Sequence, residues 1–272
     1  MEFVADWRGS RGIRLTQLKY HQQILNLLGM RLDMVASRVA IIEEREKACG
    51  VRFPASVREW FAIESAESLF YENTNQHLEE LANLGDPEET AQGYLKVATE
   101  NQAVVEWYVR LAEGDDPPVY DNDDEWNEDL SKTNWRMNSV TFTNFIFDMI
   151  SAHHFRGWYS GMHLSAEDQW PSTDELALLS DWFQEGPRTD APASRVRRFF
   201  NTSGIVMIQA ITPEHLADAT AQWNVEADSP EELFEFTKKL WQLGTLSRTL
   251  KAKSCSAESR AKGNEILQRL RA

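Results

Sequence analysis

Cysteine is scarce in this chain: its 272 residues hold two, Cys49 and Cys255. One falls in a helical run and the other in a polar tail, so a disulfide framework is not expected and both read as reduced thiols. A continuous apolar stretch of signal-peptide length is lacking at the N-terminus, and no window approaches the roughly 20 apolar residues of a membrane span. The expected location is cytoplasmic. The familiar catalytic signatures are missing too: no phosphate-binding glycine loop with lysine, no dinucleotide fingerprint, no Gly-x-Ser-x-Gly elbow and no His-Glu-x-x-His. No catalytic residue, cofactor or metal site is therefore expected. His153, His154 and His163 form the one histidine group, beside Trp158 and Tyr159, and have no recognisable metal spacing. The run Asp121-Asn122-Asp123-Asp124-Glu125 fails as a calcium loop, because Trp126 stands where glycine is needed and Lys132 where the bidentate glutamate belongs.

Apolar residues make up 42% of the chain and aromatics 11%, enough for a sizeable core in one or two domains. The net charge of −15 is unevenly spread. Nine acids and no Lys or Arg lie between Glu59 and Leu95: Glu59, Glu64, Glu67, Glu72, Glu79, Glu80, Asp86, Glu88 and Glu89. Nine more lie between Glu113 and Asp129: Glu113, Asp115, Asp116, Asp121, Asp123, Asp124, Glu125, Glu128 and Asp129. Such stretches repel nucleic acid and steer basic proteins, or else serve only to keep the surface solvated. The tail reverses the sign: from Arg248 to Ala272 seven basic residues stand against two acids, a net of +5. Its apolar stripe, Ile266, Leu267 and Leu270, fits a terminal helix on the acidic body as well as it fits a frayed appendage.

The periodicities predict an α+β chain with a largely antiparallel central sheet flanked by helices. Leu18, His21, Leu25 and Leu28 recur at helical spacing and predict an added N-terminal helix; Leu32, Val35, Val39 and Ile42 continue the period to Gly50. Val105, Trp107, Val109 and Leu111 alternate with Glu106, Tyr108 and Arg110, the two-residue period of a half-buried strand, which Pro117-Pro118 interrupts. Phe142, Phe145, Ile146, Met149 and Ile150 form a helical stripe behind Thr141 as cap. Ser172-Thr173-Asp174-Glu175 is a capping box, and Ser229-Pro230-Glu231-Glu232 combines a cap, a first-turn proline and a capping glutamate. Between them, Val196–Phe200 and Ile205–Ile211 read as a hairpin across Asn201-Thr202-Ser203-Gly204, with a further strand at Ala221, Trp223 and Val225.

The most distinctive wording is Gly50-Val51-Arg52-Phe53-Pro54-Ala55-Ser56-Val57-Arg58-Glu59-Trp60-Phe61, directly after the charged run Ile42-Glu43-Glu44-Arg45-Glu46-Lys47-Ala48-Cys49. Gly50 suits a left-handed helix stop, Phe53 before proline is biased to extended backbone, and Pro54 can open a helix without losing a donor. This corner resembles the opening of the SMI1/KNR4 (SUKH) superfamily. Asn101-Gln102, Trp107, the loop Asp115-Asp116-Pro117-Pro118-Val119-Tyr120 and Phe142-x-x-Phe145 resemble its later motifs, covering residues 33 to 150 well and 190 to 245 more loosely. Two departures stand out: an Asn-Gly turn after the second helix is here Glu64-Ser65-Ala66, and Ala103 replaces the glycine after Asn-Gln.

The resemblance implies a SUKH-like domain over residues 33–245, preceded by a helical extension (1–32) and followed by the basic tail (246–272). Trp107, Phe145, Ile208, Trp223 and Leu240 are its expected core. It also implies a non-enzymatic immunity protein that occludes a cognate bacterial toxin domain, a basic protein such as a nuclease. A regulatory scaffold is the alternative reading, and an uncharacterised enzyme a third. The partner-binding residues expected on charge are Asp115, Asp116, Asp121, Asp123, Asp124, Glu125, Glu64 and Glu67. Tyr120, Trp126 and Tyr71 are the expected anchors, with Trp60 nearby, and Trp126 has a second reading as a residue that closes the core.

Overall fold

A computed structural model describes residues 18–122, 129–154, 163–191, 194–210, 220–227, 229–243, 246–253 and 257–272. The helical period that begins at Leu18 is carried by two helices, α1 (Gln22–Leu27) and α2 (Ala36–Cys49), because Gly29 turns the chain at φ +64°. Gly50 stops α2 at φ +69°, as its position predicts. Pro54 then stands at the cap position, one residue before the first turn of α3 (Ala55–Ala62). It loses no hydrogen bond there.

α4 (Ala66–Thr74), β1 (His77–Leu78) and α5 (Pro87–Ala91) lead into β2 (Tyr94–Thr99), β3 (Glu106–Arg110), β4 (Val119–Asp121) and β5 (Arg136–Ser139). These strands form one antiparallel sheet in the order β1-β2-β3-β4-β5. Leu95, Val97, Trp107, Val109 and Val119 bury into a first core shared with α6 (Phe142–His154), where the Trp107 ring lies 5.6 Å from Phe145. Thr141 caps α6 by accepting the Asn144 amide at 3.0 Å. Ile24, Leu25 and Leu27 of α1 belong to the same core, so the N-terminal helix is integral to it.

Ser65, within the turn Glu64-Ser65-Ala66, and Ala103, where glycine is expected after Asn-Gln, adopt φ +59° each. A side chain costs about 1–2 kcal/mol in that geometry, part of which glycine returns through its greater unfolded-state freedom. Ser65→Gly and Ala103→Gly should therefore each raise stability by roughly 0.5–1 kcal/mol, read from urea unfolding midpoints at constant slope.

The second half comprises β6 (His163–Gln169), α7 (Thr173–Trp182), β7 (Gln184–Glu185), β8 (Thr189–Ala191), β9 (Ser194–Asn201), β10 (Gly204–Ala210), β11 (Thr220–Ala227), α8 (Pro230–Leu240), α9 (Leu246–Thr249), β12 (Lys251–Lys253) and α10 (Ala257–Arg271). Its strands form a separate antiparallel sheet in the order β12-β6-β11-β10-β9-β7, with β8 also on β9. The expected hairpin is present: Asn201 pairs with Gly204, and the Asn201 side chain accepts the amides of Ser203 and Gly204 at 2.8 and 3.1 Å. Ser172 and Ser229 cap α7 and α8 as their sequences predict.

The α+β class therefore holds, while the strands divide between two sheets instead of one. Trp107 and Phe145 sit in the first core, whereas Ile208, Trp223 and Leu240 sit in a second with Phe199, Phe236, Ile266 and Leu267. Two-residue periodicity marks a strand's buried face but not its neighbour, which is why the expectation of one central sheet fails. The tail forms helix α10, anchored by Ile266 and Leu267, with Gly263 lying so close to β12 that a Cβ there would approach Ala252 Cβ to 2.7 Å. Arg198 of β9 ion-pairs with Asp148 of α6 at 2.6 Å, beside a Phe147–Phe200 ring contact at 5.5 Å, and so joins the two halves.

Candidate protein-docking face

Strand alternation puts Tyr94 and Lys96 of β2, Glu106, Tyr108 and Arg110 of β3, and Tyr120 of β4 on the face of the first sheet opposite Trp107 and Val109. The register sets Tyr94 against Arg110, Lys96 against Tyr108, Tyr108 against Tyr120, and Tyr120 against Met137 of β5. The Trp135 ring stacks on Tyr94 at 5.0 Å and meets Tyr108 edge-on at 5.1 Å. The Arg110 guanidinium lies 4.3 Å from the Tyr120 ring and 5.9 Å from Tyr94, and ion-pairs with Glu113 at 3.2 Å. Glu113 also accepts the Tyr120 hydroxyl at 3.0 Å.

Beside the rings lies a half-buried charge cluster. The Lys96 ammonium sits 3.6 Å from Glu79 and 3.5 Å from Glu106, while the Tyr108 hydroxyl donates to Glu106 at 2.9 Å and to Glu89 at 3.2 Å. Burial opposes the charge on Lys96, yet Glu79, Glu106 and Glu89 outweigh it and hold the ammonium above the usual lysine range. Burial pushes the carboxyls of Glu79 and Glu89 up, against the pull of Lys96. Burial and the charges of Glu89 and Glu106 raise the Tyr108 hydroxyl, which stays protonated and donating. Three carboxylates around one ammonium leave this face a surplus of negative charge.

Compared with protein families, with curated proteins and with solved structures, the chain matches none. No helix among the described residues is long and apolar enough to cross a membrane, and no group of three or more His, Cys, Asp or Glu among them could hold a metal ion.

The structure distributes the sequence-predicted residues widely. Tyr120 lies within the face just described, and Asp115 is exposed on the loop that leads to it. Asp116 is spent on α6, where it accepts the Thr143 amide at 3.0 Å. Asp121 is buried, paired with Arg136 at 3.1 Å and bonded to Asn138 at 3.2 Å, so it presents no free charge. Asp123, Asp124, Glu125 and Trp126 lie outside the described residues. Glu64, Glu67 and Tyr71 sit on or next to α4, which packs on α6, the helical side of the sheet. There Glu67 pairs with Arg38 at 2.6 Å and the exposed Tyr71 ring lies 5.0 Å from His77, while Glu64 is exposed. Trp60 is fully buried in the first core and offers no anchor.

Sequence reasoning missed Tyr94, Lys96, Glu106, Tyr108, Arg110, Trp135 and Met137 as a group. The signal is present in part: alternation puts Glu106, Tyr108 and Arg110 on the solvent side of a strand, yet a tyrosine between two opposite charges is an unusual solvent face. The acidic stretches misled because their cations come from outside them, from Arg38, Lys96, Arg110, Lys132 and Arg136.

Proposed function

We propose that this protein is a cytoplasmic immunity protein that binds one cognate toxin domain and blocks it by occlusion, without turnover, through the outer face of its first sheet. The observation that carries the reading is the combination on that face of Tyr94, Trp135 and Arg110, laid over the buried Tyr120 ring, with a surplus of carboxylates from Glu79, Glu89, Glu106 and Glu113. Aromatic rings and arginine carry most of the energy at protein interfaces, and charges of one sign steer a partner of the other. The partner implied is a basic protein surface; phosphate-rich nucleic acid would be repelled. Met137, 53% exposed opposite Tyr120, adds an uncovered apolar side chain at the edge. The SUKH-like wording of the α2–α3 corner supports the same class.

Co-expression tests this reading. The protein should rescue cells from one cognate toxin and not from unrelated toxins, with rescue requiring at least equimolar protein. Inactivation by substoichiometric amounts that left the toxin covalently altered would instead establish an enzyme.

A further inference from the structure

The N-terminal strap has features that docking does not use. The backbone amides of Lys19, Tyr20 and His21 all donate to the buried Glu59 carboxylate, at 2.7, 2.7 and 2.8 Å. His21 itself is buried, its ring edge-on to Trp60 at 5.0 Å and to Phe142 at 5.8 Å. Its Nε2 lies 2.9 Å from the Ser56 carbonyl oxygen, which can only accept, so Nε2 carries the proton of the neutral ring. Nδ1 is then an acceptor without a hydrogen-bond partner among the described residues. Beyond this anchor, α1 buries Ile24, Leu25 and Leu27 in the first core and reaches the second sheet: Gln23 donates to the Glu185 carbonyl at 2.9 Å and Asn26 to the Gln184 side chain at 3.2 Å.

We propose that α1 is a strap joining the two sheets and that His21 is its acid-sensitive latch, so that mild acidification favours local opening of residues 19–28, including the part of the first core that Ile24, Leu25 and Leu27 complete, and loosens β7 while β3 and β10 stay closed. A second proton would have to sit on Nδ1, creating a buried cation. The charged groups that face the ring are already engaged: Glu59 of α3 holds three amides, and Asp116, from the loop before β4, holds the Thr143 amide. Lys19, on the strap itself, is turned to the Tyr20 hydroxyl at 2.8 Å, and α6 presents the Phe142 ring. Burial accordingly pushes the closed imidazole below the usual histidine range, against the Ser56 carbonyl and the two carboxylates. Released into water, the ring takes up its proton near pH 6.5. The open strap thus binds one more proton than the closed one below that pH, and the sign is fixed: opening becomes more favourable as pH falls, by about tenfold per unit.

Hydrogen exchange of the full chain between pH 7.5 and 5.5, corrected for intrinsic rates, tests both halves of the proposal. Below about pH 6.5 the opening constants of the α1 amides should rise roughly tenfold per unit. The Gly186 amide, bonded to the Arg198 carbonyl at 2.8 Å next to β7, should follow them, while β3 and β10 stay level. His21→Gln, which keeps a donor for Ser56 but cannot titrate, should abolish the slope. A flat profile for α1 in the unmodified protein, or the same slope in His21→Gln, overturns the latch. An α1 slope without a Gly186 response overturns the strap. Should His21→Gln not fold, the unmodified profile decides alone.

Discussion

Lys96→Met should lower the unfolding free energy by about 2 kcal/mol at pH 7, and adding Glu79→Gln should recover much of the loss. Removing one partner from a buried ion pair typically costs about 3–5 kcal/mol, because the other charge is left uncompensated. Here 25% of the lysine side chain remains exposed, which argues for the smaller figure. The loss arises from three carboxylates, Glu79, Glu89 and Glu106, facing one another once the ammonium is gone. The pH dependence follows from the same groups. The carboxyls of Glu79 and Glu89 titrate above the usual glutamate range in the folded protein, so the fold binds more protons than the unfolded chain just above that range. Their contribution is fully present below the unfolded value and is lost as pH rises through the folded one. The Lys96→Met deficit should therefore shrink as pH falls towards 4, measured as a converging pair of urea unfolding curves. A deficit that stayed constant from pH 7 to 4 would show that lost packing of the lysine stem, and not carboxylate repulsion, is responsible.

Gly85→Ala should cost more, about 3 kcal/mol. Gly85 holds φ +79°, and a Cβ built on it would come within 2.5 Å of Phe53 Cζ and 3.2 Å of Cys49 Sγ. The left-handed backbone accounts for about 1–2 kcal/mol and the overpacking of a core phenylalanine for about 1–3 more. Phe53 is buried and cannot swing away, and the Gly85 carbonyl is fixed by Arg45 at 2.9 Å and by the Cys49 thiol at 2.8 Å. Thermal unfolding of Gly85→Ala beside Gly93→Ala separates the two causes, since Gly93 has φ +87° but no atom within 4 Å of the added carbon. Equal losses at both positions would reduce the effect to backbone strain alone.

Local chemistry was the part of this fold that the sequence made legible. Gly50, Thr141, the capping box at Ser172, the cap at Ser229 and the Asn201–Gly204 turn each act within a few residues of themselves, and each forms the structure its wording predicts. What was hidden depends on residues far apart in the chain. Glu59 reads as one acid in a solvated run, yet it is buried as the acceptor of three amides from residues 19–21. Asp121 reads as a free steering charge until Arg136 and Asn138 close on it. Gly85 carries no local pattern; besides its left-handed backbone, Phe53 and Cys49, each more than thirty residues away, make it necessary. The docking face was hidden in the same way, since it takes β2, β3, β4 and β5 in register before Tyr94, Arg110, Tyr120 and Met137 become neighbours.

Association kinetics of Met137→Arg with the purified toxin domain from which the unmodified protein rescues cells test the docking face most directly. Met137 is exposed on an edge strand, so its replacement leaves both cores intact, which the unfolding curve of the variant verifies. The added cation opposes a basic partner and removes an apolar contact opposite Tyr120. The account predicts binding weakened by roughly 100-fold, with slower association at low salt and faster dissociation. Unchanged kinetics in a folded Met137→Arg protein would contradict it and move the interface away from the outer face of the first sheet.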